Sequence, residues 1–381
     1  MARYKLNDIA PIKQGVVSTE DKYWLLNLDM VESNTGRVID YLYVSEEEIG
    51  ASTVTFDTGN VLYSKLRPYL NKVVLPDRPG YATSEMLPMR PNTEIITREY
   101  LTYFLRSPRF VSYINEKTSG AKMPRANSSD LKAVEIECPP IAEQNRITTL
   151  FDEIVSVIQL RQQELQKLDD LIKARFVEMF GDAVDNPMGW EKKQLQEIVT
   201  DDCTISYGIV QTGDDQEEGI PVFRPVDIVN RIPKLEELKK TTEEISNKYK
   251  RTLLKGRELL ITVRANIADT CIVGEEFKGC NVGRGIVPIR TQEDIMILEF
   301  LKYVLDSKHL NDDIKSKAKG ITLIQLNMED LREVELIIPP VEQQKLFVEF
   351  AKQVDKSKVV VQKALDKAQL LFDSLMQQYF G

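Results

Sequence analysis

Sliding the sequence against itself by 200 residues lays most of its second half over its first. Tyr100-Leu-Thr-Tyr-Phe-Leu-Arg-Ser107 falls on Phe300-Leu-Lys-Tyr-Val-Leu-Asp-Ser307, Gly120 on Gly320, Asn127 on Asn327 and Asp130-Leu131 on Asp330-Leu331. Val134-Glu135, Pro139-Pro140 and Gln144 meet Val334-Glu335, Pro339-Pro340 and Gln344, and the halves end alike in Phe180-Gly181 and Phe380-Gly381. Nearer the start of each half the register drifts. Gly59-x-x-Leu62 and Arg67 pair with Gly256-x-x-Leu259 and Arg264 at an offset of 197, and Lys5-Leu6-x-x-Ile9 pairs with Gln194-Leu195-x-x-Ile198 at 189. A repeat this long constrains the fold more than composition does: whatever one half builds, the other builds again.

Each half opens with about 140 residues of short β-rich runs punctuated by Gly and Pro. Val61–Tyr63, Lys72–Leu75, Glu258–Val263 and Thr270–Val273 are examples. Residues 98–116 and 295–315 read as short amphipathic helices. An extended Val134–Cys138 or Val334–Ile338 follows, closed by a Pro-Pro pair. Such a pair forbids helix before it and suits the first turn of a helix after it.

The helices that follow carry the clearest periodicity. Positions 147, 151, 154, 158, 161, 165, 168, 172, 175 and 179 read Ile, Phe, Ile, Ile, Arg, Leu, Leu, Ile, Arg, Met. The same positions plus 200 read Phe, Ala, Val, Lys, Val, Leu, Ala, Phe, Leu, Tyr in the same phase. This is a coiled-coil seam on helices roughly 55–60 Å long. An apolar stripe on a charged helix needs a partner, and its own copy is at hand. The expected fold is therefore α+β: two similar globular α/β domains separated by two long helices pairing as an antiparallel coiled coil, with a pseudo-twofold internal repeat. The boundaries expected are 1–138 and 187–338 for the globular domains, 139–186 and 339–381 for the helices. Two heads held on a rod at fixed spacing suit a duplex, whose faces recur about every 34–36 Å.

Composition excludes several classes of function. The 381 residues are 42% hydrophobic and 29% charged, which fits a folded chain of two or three domains. No run is long enough to span a membrane, and Met1–Gln14 has no apolar segment of a signal peptide. Cys138, Cys203, Cys271 and Cys280 form no CxxC pair and fit a reducing cytoplasm. The one histidine, His309, lies in a polar helical stretch and leaves no room for histidine-metal or Ser-His-Asp chemistry. Cys138-Pro-Pro-Ile141 and Ile338-Pro-Pro-Val341 lack the amide and the aromatic residue of an amino-methyltransferase loop. There is no P-loop and no dinucleotide fingerprint. Gly283-Arg284-Gly285 reads as a turn, and Glu191-Lys192-Lys193 as a solvated patch rather than a nuclease motif. No catalytic site, cofactor site or metal site is expected.

A net charge of −9 does not preclude nucleic-acid binding, because local patches do the binding. Basic islands recur in both halves, interleaved with aromatic and amide side chains of the kinds that hold phosphates and read base edges. The candidate DNA-binding residues are Tyr63, Lys65, Arg67, Lys122 and Arg125 in the first half. In the second they are Lys248, Lys250, Arg264, Asn266, Arg284, Lys317 and Lys319, and Arg67 is set over Arg264.

At this point the chain resembles the specificity subunit of a type I restriction-modification system. The resemblance covers essentially the whole sequence. It rests most on Glu135-Ile-Glu-Cys-Pro-Pro-Ile-Ala-Glu-Gln144 and its copy Glu335-Leu-Ile-Ile-Pro-Pro-Val-Glu-Gln-Gln344. Pro187-Met-Gly-Trp190 resembles the family's opening of a recognition domain, and Gly59-x-Val-Leu and Gly256-x-Glu-Leu its internal strand, with Asn60 and Arg257 in place of the usual acid. The resemblance implies two target recognition domains that each read one half of a bipartite double-stranded DNA sequence, and spacer helices that dock partners. It implies a non-catalytic, cytoplasmic chain that directs others. Two modification subunits would carry S-adenosylmethionine and methylate adenine. Restriction subunits would use ATP and Mg to cleave. Three alternatives stay open: the specificity subunit of a system whose restriction and modification activities share one polypeptide, a coiled-coil scaffold with no DNA role, and an atypical nuclease.

Overall fold

The computed structural model describes residues 2–120, 122–228, 232–320 and 324–381. The first repeat begins with β1 (Ala2–Lys5) and α1 (Leu6–Ile9). A β-rich region follows: β2 (Tyr23–Leu26), β3 (Leu42–Val44), β4 (Thr53–Phe56), β5 (Val61–Ser64), β6 (Val73–Val74), β7 (Gly80–Thr83) and β8 (Met86–Met89). Then come α2 (Arg98–Arg106), α3 (Pro108–Glu116), α4 (Ser128–Ala133), β9 (Glu135–Cys138) and the long α5 (Ile141–Phe180). The second repeat runs β10 (Glu191–Gln194), β11 (Ile220–Phe223), β12 (Lys239–Thr241), α6 (Glu243–Asn247), β13 (Glu258–Thr262), β14 (Thr270–Val273), β15 (Asn281–Val282) and β16 (Ile286–Ile289). It closes with α7 (Leu298–Leu305), α8 (Lys308–Ser316), α9 (Met328–Arg332), β17 (Glu335–Ile338) and the long α10 (Val341–Phe380).

The repeats share a sheet plan. β1 pairs antiparallel with β9, Ala2 opposite Cys138, and β10 with β17, Glu191 opposite Ile338. One sheet is ordered β3-β2-β7-β4 in the first repeat and β12-β11-β15 in the second, each holding one parallel pair. A second sheet is β6-β5-β8 in one and β14-β13-β16 in the other. The central strands β5 and β13 are buried at every residue, so both of their faces read as core. The amphipathic stretches at 98–116 and 295–315 each become two helices. Pro108 cannot continue α2, and Ser107 accepts the Phe110 N–H to start α3.

The register of the central strands differs from that read in the sequence. Ser64 lies opposite Met86, and Thr262 opposite Ile286, which sets β5 over β13 at an offset of 198 rather than 197. The Ala126 N–H reaches Lys65 O at 2.8 Å, and the Leu326 N–H reaches Val263 O at 3.0 Å, in the same register. Arg264 is therefore the counterpart of Leu66. The counterpart of Arg67 is Ala265, and both sit in the left-handed region, at φ 49° and 60°. Asn60 falls opposite Glu258. Both are fully buried, and both accept a backbone N–H from the loop before the strand.

Two compact units partition the chain: residues 1–163 with 361–381, and residues 164–360. In the first unit Phe151 packs on Phe372, Tyr379 and Phe380, and Arg146 reaches the Tyr379 hydroxyl. In the second, Asp169 pairs with Lys358 at 2.5 Å, Arg175 lies over Phe350, and Phe176 meets Phe347. In each unit the two long helices thus run antiparallel, and none of the seam positions is exposed. Phe151, Phe180 and Phe347 are wholly buried, and each such ring contributes roughly 1.5–3 kcal/mol. The helices start where Pro140 O accepts Glu143 and Gln144 N–H and Pro340 O accepts Gln343 and Gln344 N–H. Gly181, at φ 75°, ends α5.

Candidate nucleic-acid interface

Each repeat builds the same backbone feature where its central strand ends. In the first, the chain leaves β5 through Lys65, Leu66 and Arg67 beside the loop from Ser119 to Arg125, whose ends exchange N–H···O bonds of 3.1 and 2.9 Å. The Arg67 N–H donates to Pro124 O at 2.7 Å. In the second, Arg264 leaves β13 beside the loop from Lys319 to Gln325, closed by bonds of 2.9 and 3.0 Å.

These loops gather many of the expected cations. Arg67 and Lys122 are exposed, and among the described residues the Arg67 guanidinium has no acidic partner. Arg125 and Lys65 converge on Glu85. Arg125 Nη2 and Nε donate to Glu85 Oε1 at 2.9 and 3.0 Å, and Lys65 Nζ stands 3.9 Å from Oε2. In the second repeat Arg264 donates from Nε and Nη2 to Gln325 Oε1, and Gln325 Nε2 donates to the Tyr207 hydroxyl. Burial, and the like charge of nearby Arg284, pull the Arg264 guanidinium below its ordinary pKa, though an arginine stays protonated. Arg284 and Asn266 are exposed, and the Asn266 carbonyl accepts from Thr262 Oγ1. Lys319 is exposed, 3.8 Å from Asp330, while Lys317, just past the end of α8, pairs with Asp313 at 2.8 Å.

Other candidates fall elsewhere. Tyr63 is a correction: it is 2% exposed on β5, edge-on to Phe110, so it is core and offers no surface to a ligand. Burial pushes its hydroxyl pKa up. Lys248 and Lys250 sit on the separate segment around the end of α6, where Lys248 pairs with Glu244 at 2.8 Å. Among the described residues no hydrogen bond or ion pair joins them to Arg264 or Arg284. Glu85 and Tyr207 complete the two groups and were not among the expected contacts. Gln325 is one of the amide side chains that the sequence interleaves with the basic islands. Tyr207 reaches it across 118 positions, which no local pattern signals.

Among the described residues one group could offer a metal three ligand atoms: Asp182, Asp185 and His309. The Asp182 carboxylate is already engaged by the Val184 and Asp185 N–H groups and by His309 Nδ1 at 2.6 Å. Its counterpart in the first repeat is a helix-end contact of another kind, Arg109 Nη1 donating to Gly381 O at 2.9 Å. Among the described residues no helix is long and apolar enough to cross a membrane.

Comparison with known proteins agrees with this architecture. The profile of the family described as type I restriction modification DNA specificity domain matches twice, at residues 1–170 and 187–368. The specificity subunit of the type I restriction enzyme EcoBI from Escherichia coli is 25% identical over 300 residues; the match covers 72% of this chain and 63% of that one, just under two thirds of its length. A putative specificity subunit, MjaX, from Methanocaldococcus jannaschii is 24% identical, with 95% and 90% covered. A chain from a solved structure, described as the structural basis underlying complex assembly and conformational transition of the type I R-M system, shares the fold. Its TM-score is 0.63 at 20% identity, covering 100% of this chain and 97% of that one. With its profile matched over both repeats, this chain belongs to the type I restriction-modification DNA specificity family.

Proposed function

We propose that the chain is the non-catalytic reader of a two-part double-stranded DNA target and directs partner subunits to it. Residues 1–138 and 187–338 each read one half of the target, and residues 139–186 and 339–381 form the spacer helices. The observation that carries this reading is the repeated loop group at the end of β5 and β13, which presents Arg67, Lys122 and Arg125 in one repeat and Arg264, Arg284 and Lys319 in the other. Cations of this kind hold phosphates, and Arg, Gln and Asn read base edges. Lys65, Asn266 and Lys317 border the same groups, and Lys248 and Lys250 add backbone contacts.

The partners follow from the family. Two modification subunits bring S-adenosylmethionine and methylate adenine, and restriction subunits bring ATP and Mg and cleave unmodified DNA, in the cytoplasm. The long helices keep apolar side chains outside the seam, including Leu160, Val360 and Leu370, each more than half exposed, and these suit docking of the modification subunits. Mapping methylated adenine across the genome of the source cells, with and without this gene, tests the reading. Loss of a single two-part motif is the expected result. An unchanged map, together with duplex binding that does not weaken as salt rises, overturns it.

A further inference from the structure

The two loop groups share a backbone and differ in chemistry at one turn. Between β7 and β8 the turn is Ser84-Glu85; before β16 it is Arg284-Gly285. The positions are equivalent, because Lys65 N–H donates to Glu85 O at 2.9 Å and Val263 N–H to Gly285 O at 2.8 Å. In the first repeat the turn therefore supplies a carboxylate, 21% exposed, and Arg125 and Lys65 hold it in place. In the second repeat no side chain fits there. A Cβ on Gly285 would lie 2.4 Å from Pro225 Cγ and 3.3 Å from Arg264 Cβ. Pro225 fills that space, with Arg264 beside it fixed on Gln325 and the exposed Arg284 one residue before the glycine.

Base edges divide by the same chemistry. Guanine presents two acceptors in the major groove, O6 and N7, which match an arginine fork and are repelled by a carboxylate. Cytosine N4 and adenine N6 present an amino donor, which a carboxylate accepts. Arg125 loads Glu85 Oε1 at 2.9 and 3.0 Å, while Oε2 has only longer contacts, 3.2 Å to Arg125 Nε and 3.9 Å to Lys65. Oε2 thus keeps a lone pair for an outside donor. On the reading that these groups face DNA, we infer that the turn at 84–85 and 284–285 sorts the bases. Glu85 makes the first repeat accept an amino-bearing base, and Arg264 with Arg284 makes the second repeat require a guanine.

The test is selection of binding sites from a randomised duplex library by the full chain co-purified with its modification subunits. The wild-type complex should select a two-part site with a fixed guanine·cytosine pair in one half. Every base pair offers one amino donor in the major groove, so the position Glu85 reads is identified by its variant, and the pair selected there says which of the two amino groups Glu85 takes. Glu85→Gln should relax that one position, and Arg284→Ala the guanine, each by roughly tenfold to a hundredfold in discrimination, leaving the other half-site as it was. Thermal melts of both variants check that they stay folded. If the two-part site is selected and both variants keep it unchanged, or each variant alters both halves, this inference falls and the reading of DNA stands. If the wild-type complex selects no two-part site, the proposed function falls with it.

Discussion

Gln144 and Gln344 make the same three hydrogen bonds. Each is fully buried in the first turn of a long helix. The Gln144 carbonyl accepts the Thr97 N–H at 2.9 Å, and its amide donates to Ile95 O and Pro139 O at 2.8 Å. Gln344 repeats this with Ile297, Ile295 and Pro339 at 2.9, 2.9 and 2.8 Å. Replacing either with Ala orphans buried backbone groups and should cost about 1–3 kcal/mol. The loss should be local: Gln144→Ala speeds hydrogen exchange at the Thr97 amide, and Gln344→Ala at Ile297. Equal effects of one variant on both amides would contradict two separate latches.

The Asp57–Arg90 pair makes stability depend on pH. Hydrogen bonds from the Arg90 guanidinium, at 2.6 and 2.8 Å, hold the Asp57 carboxyl at about 2 against an ordinary 3.8. A carboxyl with a depressed folded pKa contributes stability that is complete above its unfolded value and lost as pH falls through the folded one. The window is therefore pH 4 down to 2, and the contribution at most about 2 kcal/mol. Asp57→Asn should shrink the difference between stability at pH 6 and at pH 3 by about 1 kcal/mol, half of the full contribution, because pH 3 lies inside the window; an unchanged difference would reject the pair as its source.

Arg67 and Tyr63 should behave oppositely in DNA binding, though they are only four positions apart. Arg67→Ala should weaken duplex binding several-fold and lower its salt dependence by roughly one counterion, as for a phosphate contact. Tyr63→Phe keeps the ring that packs on Phe110 and should leave affinity alone. Titration at two salt concentrations separates the two outcomes.

All four cysteines are free and buried, and burial raises their thiol pKa values: to about 11 for Cys138 and Cys280, to about 12 for Cys271, and upward for Cys203. Thiolate is the reactive form, so native protein at pH 8 should react with a thiol reagent far more slowly than denatured protein. Fast labelling of even one cysteine in the native chain would contradict its burial.

The repeat, the helix seam and the Pro-Pro helix starts were legible because each rests on local spacing that the other half echoes. Tyr63 misled because β5 is covered on both faces, so strand periodicity gives no inside and outside to choose between. The offset of Arg67 from its counterpart slipped by one because identical letters, two arginines, outweighed backbone position, which only the pairing of β5 with β8 and β13 with β16 fixes. Glu85 carries no signal of its own in the sequence, because an acid near basic islands reads as ordinary surface. Its meaning depends on Arg125, 40 positions away, arriving at the same turn.

The first compact unit is not a continuous stretch of chain. Met376 and Phe380 belong to the same core as Leu6, Tyr100 and Phe151, whereas residues 164–360 fold as one uninterrupted segment. During synthesis the first-made domain must therefore wait, its core open, until residues 361–381 leave the ribosome, while the second can close earlier. A stop codon ahead of residue 361 would thus be, in effect, a lesion of the first domain. A recombination event that exchanged only the front of the gene would mate a new core with an old lid.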